Sequence, residues 1–316
     1  MRTSCDQVRA LAEKLDAPVV QTVNARGLMH AHPLGVPASP SLQAVRDLIE
    51  AADVVLAVGT ELGPTDYDMY ATDTMPRMAN LIRVDICPDQ LGRHPAAVTI
   101  LSDATQTVKQ LDDSIDTSAS DGTGTTRAAH AREQAFAETG PQMQALTELL
   151  NTLRDTVPGA MIVGDSTQPV YAGNLYFDHD RPGGWFNAAT GFGALGYAIP
   201  AAIGAALAAP DVPVICLVGD GGAQFSLPEL MTARDENLPI TFIIWNNNGY
   251  QEIETSMQAA GVTSVGCNPT PPDFEAVAAS CNMPFHRCEP EASALIAPLR
   301  AAAGRPGPAM IEIQTP

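Results

Sequence analysis

Short apolar runs rich in β-branched residues alternate with longer amphipathic segments along most of the chain. Runs of this kind, bounded by turn residues, predict buried strands, and the amphipathic segments predict helices. We predict strands at residues 19–23, 53–58, 81–86, 97–101, 161–163, 212–218, 240–245 and 309–314. We predict helices near residues 6–15, 41–51, 105–111, 141–154, 195–208, 226–237 and 272–280. The alternation predicts an α/β protein of two doubly wound domains with mainly parallel sheets.

One segment interrupts this alternation. Residues 112–127 consist almost entirely of Asp, Ser, Thr and Gly and hold almost no apolar side chain. Such a composition is typical of a linker between domains. A chain of 316 residues is long enough to form about two domains with cores of their own. We therefore predict a first domain at residues 1–111, a linker at 112–127 and a second domain at 128–316.

Two neighbouring apolar runs in the second domain each end in polar residues. The run at 212–218 is followed by Gly219-Asp220-Gly221, and the run at 240–245 is followed by Asn246-Asn247. The segment between them contains Ser226 and Glu229 at the spacing of a capping box, which predicts one helix. A right-handed crossover between parallel strands brings the two strand ends close together at the edge where open α/β sheets bind ligands.

These residue types fit a magnesium site. Mg²⁺ takes six oxygen ligands and commonly receives one or two from protein side chains and the rest from phosphate and water. We predict that Asp220, the side chain of Asn247 and the backbone carbonyl of Gly249 supply three of them. Gly221 and Gly222 leave the neighbouring backbone N–H groups accessible to a phosphate. The pattern predicts a pyrophosphate held through a metal, and the alternative is two tight turns on an ordinary sheet.

Composition and charge exclude several classes of protein. The net charge of −19 disfavours binding to nucleic acid or to anionic lipid, while helix termini and a metal leave room for a buried anionic cofactor. The six cysteines have neither C-x-x-C nor zinc spacing, which favours reduced thiols and a cytoplasmic location. The first fifteen residues predict a polar helix instead of a signal peptide, and no apolar run is long enough to span a membrane.

A glycine motif in the second domain invites a different interpretation. Residues 191–196 fit G-x-G-x-x-G, and Asp211 lies twenty residues after Gly191. The dinucleotide fingerprint requires a strand directly before the glycines and an acidic residue at the end of the next strand. Here residues 182–190 predict a loop, and Asp211 precedes a strand. We therefore do not expect a nicotinamide site.

The Gly-Asp-Gly and Asn-Asn motifs, with a strand before each and a helix between, resemble those of the thiamine diphosphate enzymes. The resemblance implies that Gly219, Gly221 and Gly222 bind the cofactor. It continues through residues 196–204 and implies that Leu195 lies under the bend of the cofactor and that the Gly193 carbonyl faces its exocyclic amine. Leu195 as a helix core residue is the alternative.

The strand at 161–163 ends in Gly164-Asp165-Ser166-Thr167-Gln168. Hydroxyl and amide groups at the carboxyl end of a strand suit a phosphate or a substrate carboxylate. The resemblance implies that this loop reaches the diphosphate, through Ser166 and Gln168. Capping of the following helix is the alternative role for both residues.

The resemblance covers nearly the whole chain. Residues 53–68 are similar to the middle domain of acetolactate synthase-like enzymes, so residues 1–111 are identified as a central domain that begins late and 128–316 as the thiamine diphosphate-binding domain. The pyrimidine-binding domain of such enzymes, with its glutamate, is missing, so no catalytic residue is assignable. We expect a truncated or split enzyme that forms a homo-oligomer or needs a pyrimidine-domain partner chain. Some relatives bind FAD at the middle domain, and nothing in the sequence supports FAD here.

The segment after the asparagines bears on the substrate. Its Gly-Tyr-Gln-Glu-Ile pattern is similar to that of 5-guanidino-2-oxopentanoate decarboxylase-like enzymes, and Ser256 replaces a tryptophan of true acetolactate synthases. A carboxylate such as Glu252 favours a cationic substrate, so we predict decarboxylation of a guanidino 2-oxo acid with Glu252, Ile253 and Ser256 at the substrate. Alternatives are an acetolactate synthase-type carboligase, a noncatalytic or regulatory paralogue, and a solvated acidic helix face.

Overall fold

The structure is a computed structural model that describes residues 5–69, 73–116 and 122–315. The chain forms two compact units. The first comprises Met1–Pro141 and Asn174–Asp178, and the second comprises Gln142–Gly173 and His179–Pro316. The first unit thus extends past the domain bounds that we expected, because residues after the linker and a later short segment pack within it.

The first unit holds short strands and the helices that connect them. Its elements are α1 (Cys5–Leu15), β1 (Val19–Val20), β2 (Gly35–Val36), α2 (Gln43–Glu50), β3 (Val55–Val58), β4 (Leu81–Asp85), α3 (Pro88–Leu91), β5 (Val98–Leu101), α4 (Ala104–Ser114) and the first part of α5 (Gly124–Thr156). Among the described residues, β3, β4 and β5 form a parallel sheet in that order and β1 pairs with β2 in parallel. The strand predicted at 19–23 is shorter because a 3-10 turn begins at Val23.

The predicted linker is partly helical. Residues 112–114 end α4 and residues 124–127 begin α5, while residues 117–121 lie outside the described part of the chain. The Gly124 N–H donates to Asp16 Oδ2 at 3.0 Å, which anchors the start of α5. The helical path is broken at Gly140, where φ is +78°, and Pro141 follows. The polar composition therefore predicted a break between elements correctly, but the segment between α4 and α5 is shorter than the predicted linker.

The second unit carries the larger sheet. Its elements are the second part of α5, β6 (Met161–Gly164), most of α6 (Gln168–Leu175), β7 (Trp185–Asn187), α7 (Ala198–Ala208), β8 (Val214–Gly219), α8 (Asp220–Ala223), α9 (Glu229–Asp235), β9 (Ile240–Asn246), α10 (Gln251–Ala259), α11 (Phe274–Ser280), β10 (Phe285–Cys288), α12 (Ala292–Ala303) and β11 (Ala309–Gln314). Within the described residues the strand order is β10-β11-β9-β8-β6-β7, and every pair is parallel. The predicted α/β class with mainly parallel sheets is confirmed.

The core explains why β8 and β9 lie at the centre of this sheet. All seven residues of β9 are buried, as expected of a strand covered on both faces. Small residues of α7, including Ala202 and Ala206, pack in the same apolar cluster as Cys216 and Phe242. Burial of this kind stabilises the fold by roughly 25 cal/mol per Å² of apolar surface. The packing fixes the carboxyl ends of β8 and β9 side by side.

Two sequence expectations fail locally, and one edge strand was not predicted. Ser226 does not cap a helix: its hydroxyl is buried without a hydrogen-bond partner among the described residues, and α9 begins at Glu229 with Pro228 before it. Residues 182–190 are not all loop, since they contain β7 and a 3-10 turn. The edge strand β10 was not predicted because its sequence, FHRC, lacks an apolar run. Among residues 5–69, 73–116 and 122–315, no helix is both long enough and apolar enough to cross a bilayer.

Candidate functional site

The ends of β8 and β9 bring the two polar motifs together. Gly219 is the register partner of Trp245, so Asp220 and Asn247 follow neighbouring strands at the same edge. Asp220 is 1% exposed, and its Oδ2 has no hydrogen-bond partner in the described part of the chain. Burial raises the pKa of Asp220, and backbone N–H groups, that of Asn247 first among them, oppose the rise. A buried carboxylate with an unpaired oxygen requires a compensating cation or a proton.

The amide of Asn247 lies beside Asp220 and can be assigned in either of two orientations. One of its terminal atoms lies 3.2 Å from Asp220 Oδ1 and 2.8 Å from the Gly249 carbonyl oxygen. With oxygen as that atom, Asn247 Nδ2 donates to Gln168 Oε1 at 3.4 Å and to Gln251 Oε1 at 3.2 Å. The opposite orientation would pair the amide nitrogen with Asp220 and would direct the amide oxygen at the oxygen of Gln251. The first orientation converges three oxygens, which is the donor set that Mg²⁺ prefers.

The glycines of the first motif leave no room for side chains. A Cβ on Gly221 would overlap the ring of Tyr250, and one on Gly222 would lie 3.2 Å from Asp165 Oδ2. A Cβ on Gly249 would lie 2.6 Å from the Cys267 carbonyl oxygen. Asp220, Gly221 and Gly222 form the first turn of α8, where backbone N–H groups have no helical partner. The glycines thus allow the Tyr250 ring and the Asp165 carboxylate to lie close to the backbone beside Asp220.

Gln168 lies beside the second motif. Its Oε1 accepts hydrogen bonds from Trp245 Nε1 at 3.0 Å and from Asn247, and its Nε2 donates to Gln251 Oε1 at 3.3 Å. The first residues of α6 and α10 therefore meet at Asn247. Sequence reasoning selected Gln168 but missed Gln251 and Trp245 as its partners. Its expected contact with a diphosphate stays a prediction.

Asp165 organises the loop before α7, a role that we did not predict. Its Oδ2 accepts hydrogen bonds from the N–H groups of Gly196 at 2.8 Å and Ala198 at 3.5 Å, and Oδ1 accepts one from Ser166. Asp165 is fully buried, and this burial raises its pKa against the effect of the backbone donors. The feature of the sequence that could have indicated this role is the position of Asp165 in the Gly-Asp-Ser turn after β6.

The same loop holds two predicted cofactor residues. Ser166 Oγ donates to the Gly193 carbonyl oxygen at 3.3 Å, so the structure brings Ser166 and Gly193 together. Leu195 is half-buried and precedes α7, which begins at Ala198 and not at 195. Gly196 has a φ of +84°, a left-handed conformation that ends the loop before the helix can start. Leu195 is therefore not a helix core residue.

An open cavity of about 560 Å³ lies between α6 and α10. It is lined by the three predicted substrate residues and four others: Glu252, Ile253, Ser256, Tyr171, Met257, Ala260 and Val262. Tyr171 lies one helical turn after Gln168, and Glu252 follows Gln251, so both walls of the cavity start at residues that contact Asn247. Burial raises the pKa of Tyr171, as does the nearby Glu252. Sequence reasoning missed Tyr171, although its spacing from Gln168 was a usable signal.

No group of three His, Cys, Asp or Glu side chains suited to a metal occurs in the described ranges. The oxygens at Asp220 come instead from one carboxylate, one amide and one carbonyl. The fold and this edge define an α/β protein whose polar loops gather at the carboxyl ends of parallel strands, as in ligand-binding members of that class.

Comparisons with known proteins show the family of the chain. Residues 165–313 match the family described as thiamine pyrophosphate enzyme, C-terminal TPP binding domain, and residues 1–111 match thiamine pyrophosphate enzyme, central domain. These matches together span most of the chain. The protein belongs to the thiamine pyrophosphate enzyme family.

Several curated proteins are similar to this chain in sequence. A Pseudomonas aeruginosa protein described as a probable 2-ketoarginine decarboxylase is 35% identical over 315 residues, covering 98% of this chain and 55% of its own length. The sulfoacetaldehyde acetyltransferase of Alcaligenes xylosoxydans xylosoxydans is 30% identical over 286 residues, covering 78% of this chain and 47% of its own. The chain thus spans about half the length of the curated relatives that it matches.

A solved structure shows the same fold. The thiamine diphosphate-dependent 4-hydroxybenzoylformate decarboxylase of Rhodococcus jostii RHA1 aligns with a TM-score of 0.74 and 23% identity, covering 99% of this chain and 59% of its own. At this identity the likeness concerns the fold.

Proposed function

We propose that this protein binds thiamine diphosphate through Mg²⁺ and takes part in the decarboxylation of a 2-oxo acid that carries a guanidino group. The observation that carries the proposal is the Asn247 amide atom that lies 3.2 Å from Asp220 Oδ1 and 2.8 Å from the Gly249 carbonyl oxygen, while Asp220 Oδ2 is buried with no partner among the described residues. With a metal bound, the Asn247 oxygen would face it; without one, the opposite amide orientation would let the Asn247 nitrogen donate to Asp220 Oδ1 and to the Gly249 carbonyl oxygen. The bare turn at Gly221 and Gly222 supports a diphosphate next to the metal.

Each side chain at this edge has a task in the proposal. Asp220, Asn247 and Gly249 hold the metal, while Gly219, Gly221 and Gly222 let the backbone approach the diphosphate. Ser166 and Gln168 orient the loop and the Asn247 amide, and Gly193 and Leu195 contact the rings of the cofactor. When bound, thiamine diphosphate supplies a thiazolium that takes up the electrons released with CO₂. The protein supplies orientation and the exclusion of water.

The cavity supports the substrate class. Glu252 lies on a wall that is otherwise mainly apolar, so a guanidinium there would form a charge-assisted hydrogen bond, and the aromatic ring of Tyr171 suits a planar cation. Arginine with an oxo group in place of its α-amino group has this shape, and that compound is named in the description of the Pseudomonas aeruginosa relative. We therefore propose 5-guanidino-2-oxopentanoate as the first substrate to test.

Two further points complete the proposal. Catalysis requires a pyrimidine-binding domain, supplied by a longer chain, by a partner chain or by a homo-oligomer of the longer protein. A cytoplasmic location is favoured by the buried thiols of Cys216, Cys267 and Cys281, which carry no disulfide. A carboligase of the acetolactate synthase type is the second candidate, because the acetolactate synthase large subunit of Corynebacterium glutamicum is 29% identical over 268 residues.

Calorimetric titration of thiamine diphosphate tests the cofactor. We expect binding that requires Mg²⁺ and that weakens by about 100-fold in Asp220→Asn, since that change removes a charged ligand of the metal while keeping the side-chain shape. Asp211→Asn, at an exposed site outside the cluster, is the matched control for the charge change. Metal-independent binding, or equal affinity in Asp220→Asn, would contradict the proposal.

A further inference from the structure

A buried carboxylate outside the predicted site contacts the metal loop. Glu312 lies on β11 and is 3% exposed. Its Oε1 accepts a hydrogen bond of 2.7 Å from Asn246 Nδ2, and its Oε2 accepts one of 2.8 Å from Arg287 Nε. The contacts run from β10 through β11 to the end of β9, across three neighbouring strands. Arg287 is half-exposed and compensates the buried charge.

Asn246 connects Glu312 to the loop that follows β9. Its Oδ1 accepts a hydrogen bond from the Asn248 N–H at 3.2 Å, and its carbonyl oxygen accepts one from the Thr315 N–H at 2.9 Å. Asn248 has a φ of +61°, in the left-handed region that asparagine enters more readily than most residues other than glycine. Asn246 is 4% exposed and lies beside Asn247 in sequence, yet its amide is directed to Glu312. The first asparagine of the pair therefore shapes the loop.

We propose that Glu312 is a positioning residue that acts through Asn246 to hold residues 246–249 in the conformation that directs the Asn247 side chain and the Gly249 carbonyl toward Asp220. This inference rests on the proposed metal site. A carboxylate is a stronger acceptor for the Asn246 amide than a neutral group, and its second oxygen is occupied by Arg287. Loss of Glu312 leaves the Asn246 Nδ2 donor buried without this partner and frees the loop to relax from its left-handed turn.

A comparison of two metals distinguishes a positioning role of Glu312 from a general effect on the stability of the protein. Mg²⁺ demands near-ideal octahedral geometry, whereas Ca²⁺ tolerates displaced ligands and a flexible shell. A displaced loop therefore weakens Mg²⁺-supported binding more than Ca²⁺-supported binding. A change in stability alone would weaken both equally. Changes to residues behind metal ligands cost about 10- to 100-fold in metal affinity.

The experiment compares Glu312→Ala, Asn246→Ala and the double variant. We measure thiamine diphosphate affinity by calorimetry with Mg²⁺ and with Ca²⁺, and hydrogen exchange of the Asn248 amide in the protein without ligands. Glu312→Ala should lose about tenfold in affinity with Mg²⁺, lose less with Ca²⁺ and speed exchange at Asn248. The double variant should be no weaker than Asn246→Ala, because both act through one contact. Glu275→Ala is the matched control, since Glu275 also lies near Arg287, at 3.8 Å, but makes no bond to Asn246.

Each outcome decides a separate point. Equal losses with both metals, unchanged exchange at Asn248 or additive effects in the double variant would overturn the positioning role. If Glu312→Ala does not fold, Glu312→Gln serves in its place. This variant keeps a carbonyl acceptor for Asn246, so the comparison of Mg²⁺ with Ca²⁺ should show the same pattern with a smaller loss of affinity. A loss that is equal for both metals would again overturn the positioning role. Failure of the unmodified protein to bind cofactor with Mg²⁺ would overturn the proposed function, and exchange at Asn248 would still report whether Glu312 holds the loop.

Discussion

The indole nitrogen of Trp245 donates a hydrogen bond of 3.0 Å to Oε1 of Gln168. This contact joins the carboxyl end of β9 to the first residue of α6, and the same oxygen accepts from Asn247. The orientation that places the Asn247 amide nitrogen toward Gln168 also places its amide oxygen toward Asp220. The Trp245–Gln168 pair thus holds an acceptor beside the amide of a predicted metal ligand.

Replacing Gln168 should therefore affect both stability and metal binding. In Gln168→Leu the Trp245 N–H, on a side chain 4% exposed, loses its acceptor, which costs about 1–3 kcal/mol of the free energy of unfolding. The Asn247 amide loses one of its two side-chain acceptors and keeps only Gln251, so Mg²⁺-supported cofactor affinity should fall as well. Urea unfolding and calorimetry measure the two effects. Gln258→Leu, at an exposed position of α10, should change neither, and a fall of equal size there would refute the assignment.

Two glycine-to-alanine changes should act in opposite directions. Gly221→Ala places a methyl group against the ring of Tyr250 in a buried turn, and such overpacking costs about 1–3 kcal/mol. Gly204→Ala, in α7, adds a methyl group where no atom lies within 4 Å, so it should stabilise the protein by about 0.5–1 kcal/mol. Urea unfolding of both variants checks the signs. A stable Gly221→Ala protein that still binds cofactor normally would show that the bare turn is not needed.

The sequence predicts those features that depend on neighbouring residues along the chain. The buried strands β8 and β9 follow from apolar runs, and the meeting of Asp220 with Asn247 follows from the topology of a parallel crossover. Tertiary contacts decide the rest. The partners of Gln168 and Glu312 come from strands and helices far along the chain, and the isolated glutamate in the last strand gives no local sign of its contact with Asn246. The helix start at Ala198 depends on the left-handed Gly196, which a small-residue pattern does not reveal.

Asp165 should give the free energy of unfolding a defined pH dependence. Burial raises the folded-state pKa of Asp165 above the usual value of 3.8. At a pH between 3.8 and the raised pKa, the folded protein therefore binds more protons than the unfolded protein. The contribution of Asp165 to stability therefore decreases as the pH rises through this window, with a slope of at most about 1.4 kcal/mol per pH unit. Urea unfolding of the ligand-free protein and of Asp165→Asn across this range measures it.

The difference in stability between the unmodified protein and Asp165→Asn should shrink as the pH rises. Asp211→Asn, at an exposed site, removes a carboxylate of ordinary surroundings and is the control. A difference that grows with pH would mean that the backbone donors of Ser166 and Gly196 outweigh burial and lower the folded-state pKa instead.

Glu252 should select for a positive charge on the ligand. The probe is 5-guanidinopentanoate, which lacks the 2-oxo group and cannot react with the cofactor, and pentanoate is the comparison, with the same carboxylate but no guanidinium. A hydrogen bond to a charged group contributes about 1.5–3 kcal/mol, so the guanidino ligand should bind at least about tenfold more tightly than pentanoate. Calorimetry on the protein loaded with thiamine diphosphate and Mg²⁺ measures both affinities.

In Glu252→Gln this preference should disappear while pentanoate binding stays unchanged, because the carboxylate contacts only the charged end. Glu254→Gln removes the same charge from the same helix, but Glu254 does not line the cavity. The Glu254→Gln variant should therefore keep its preference for the guanidino ligand, apart from a small salt-sensitive loss that reflects the net charge near the site. If the two variants lose the preference equally, the combined negative charge on the acidic face of α10 attracts the ligand, and the cavity does not recognise a guanidinium through Glu252.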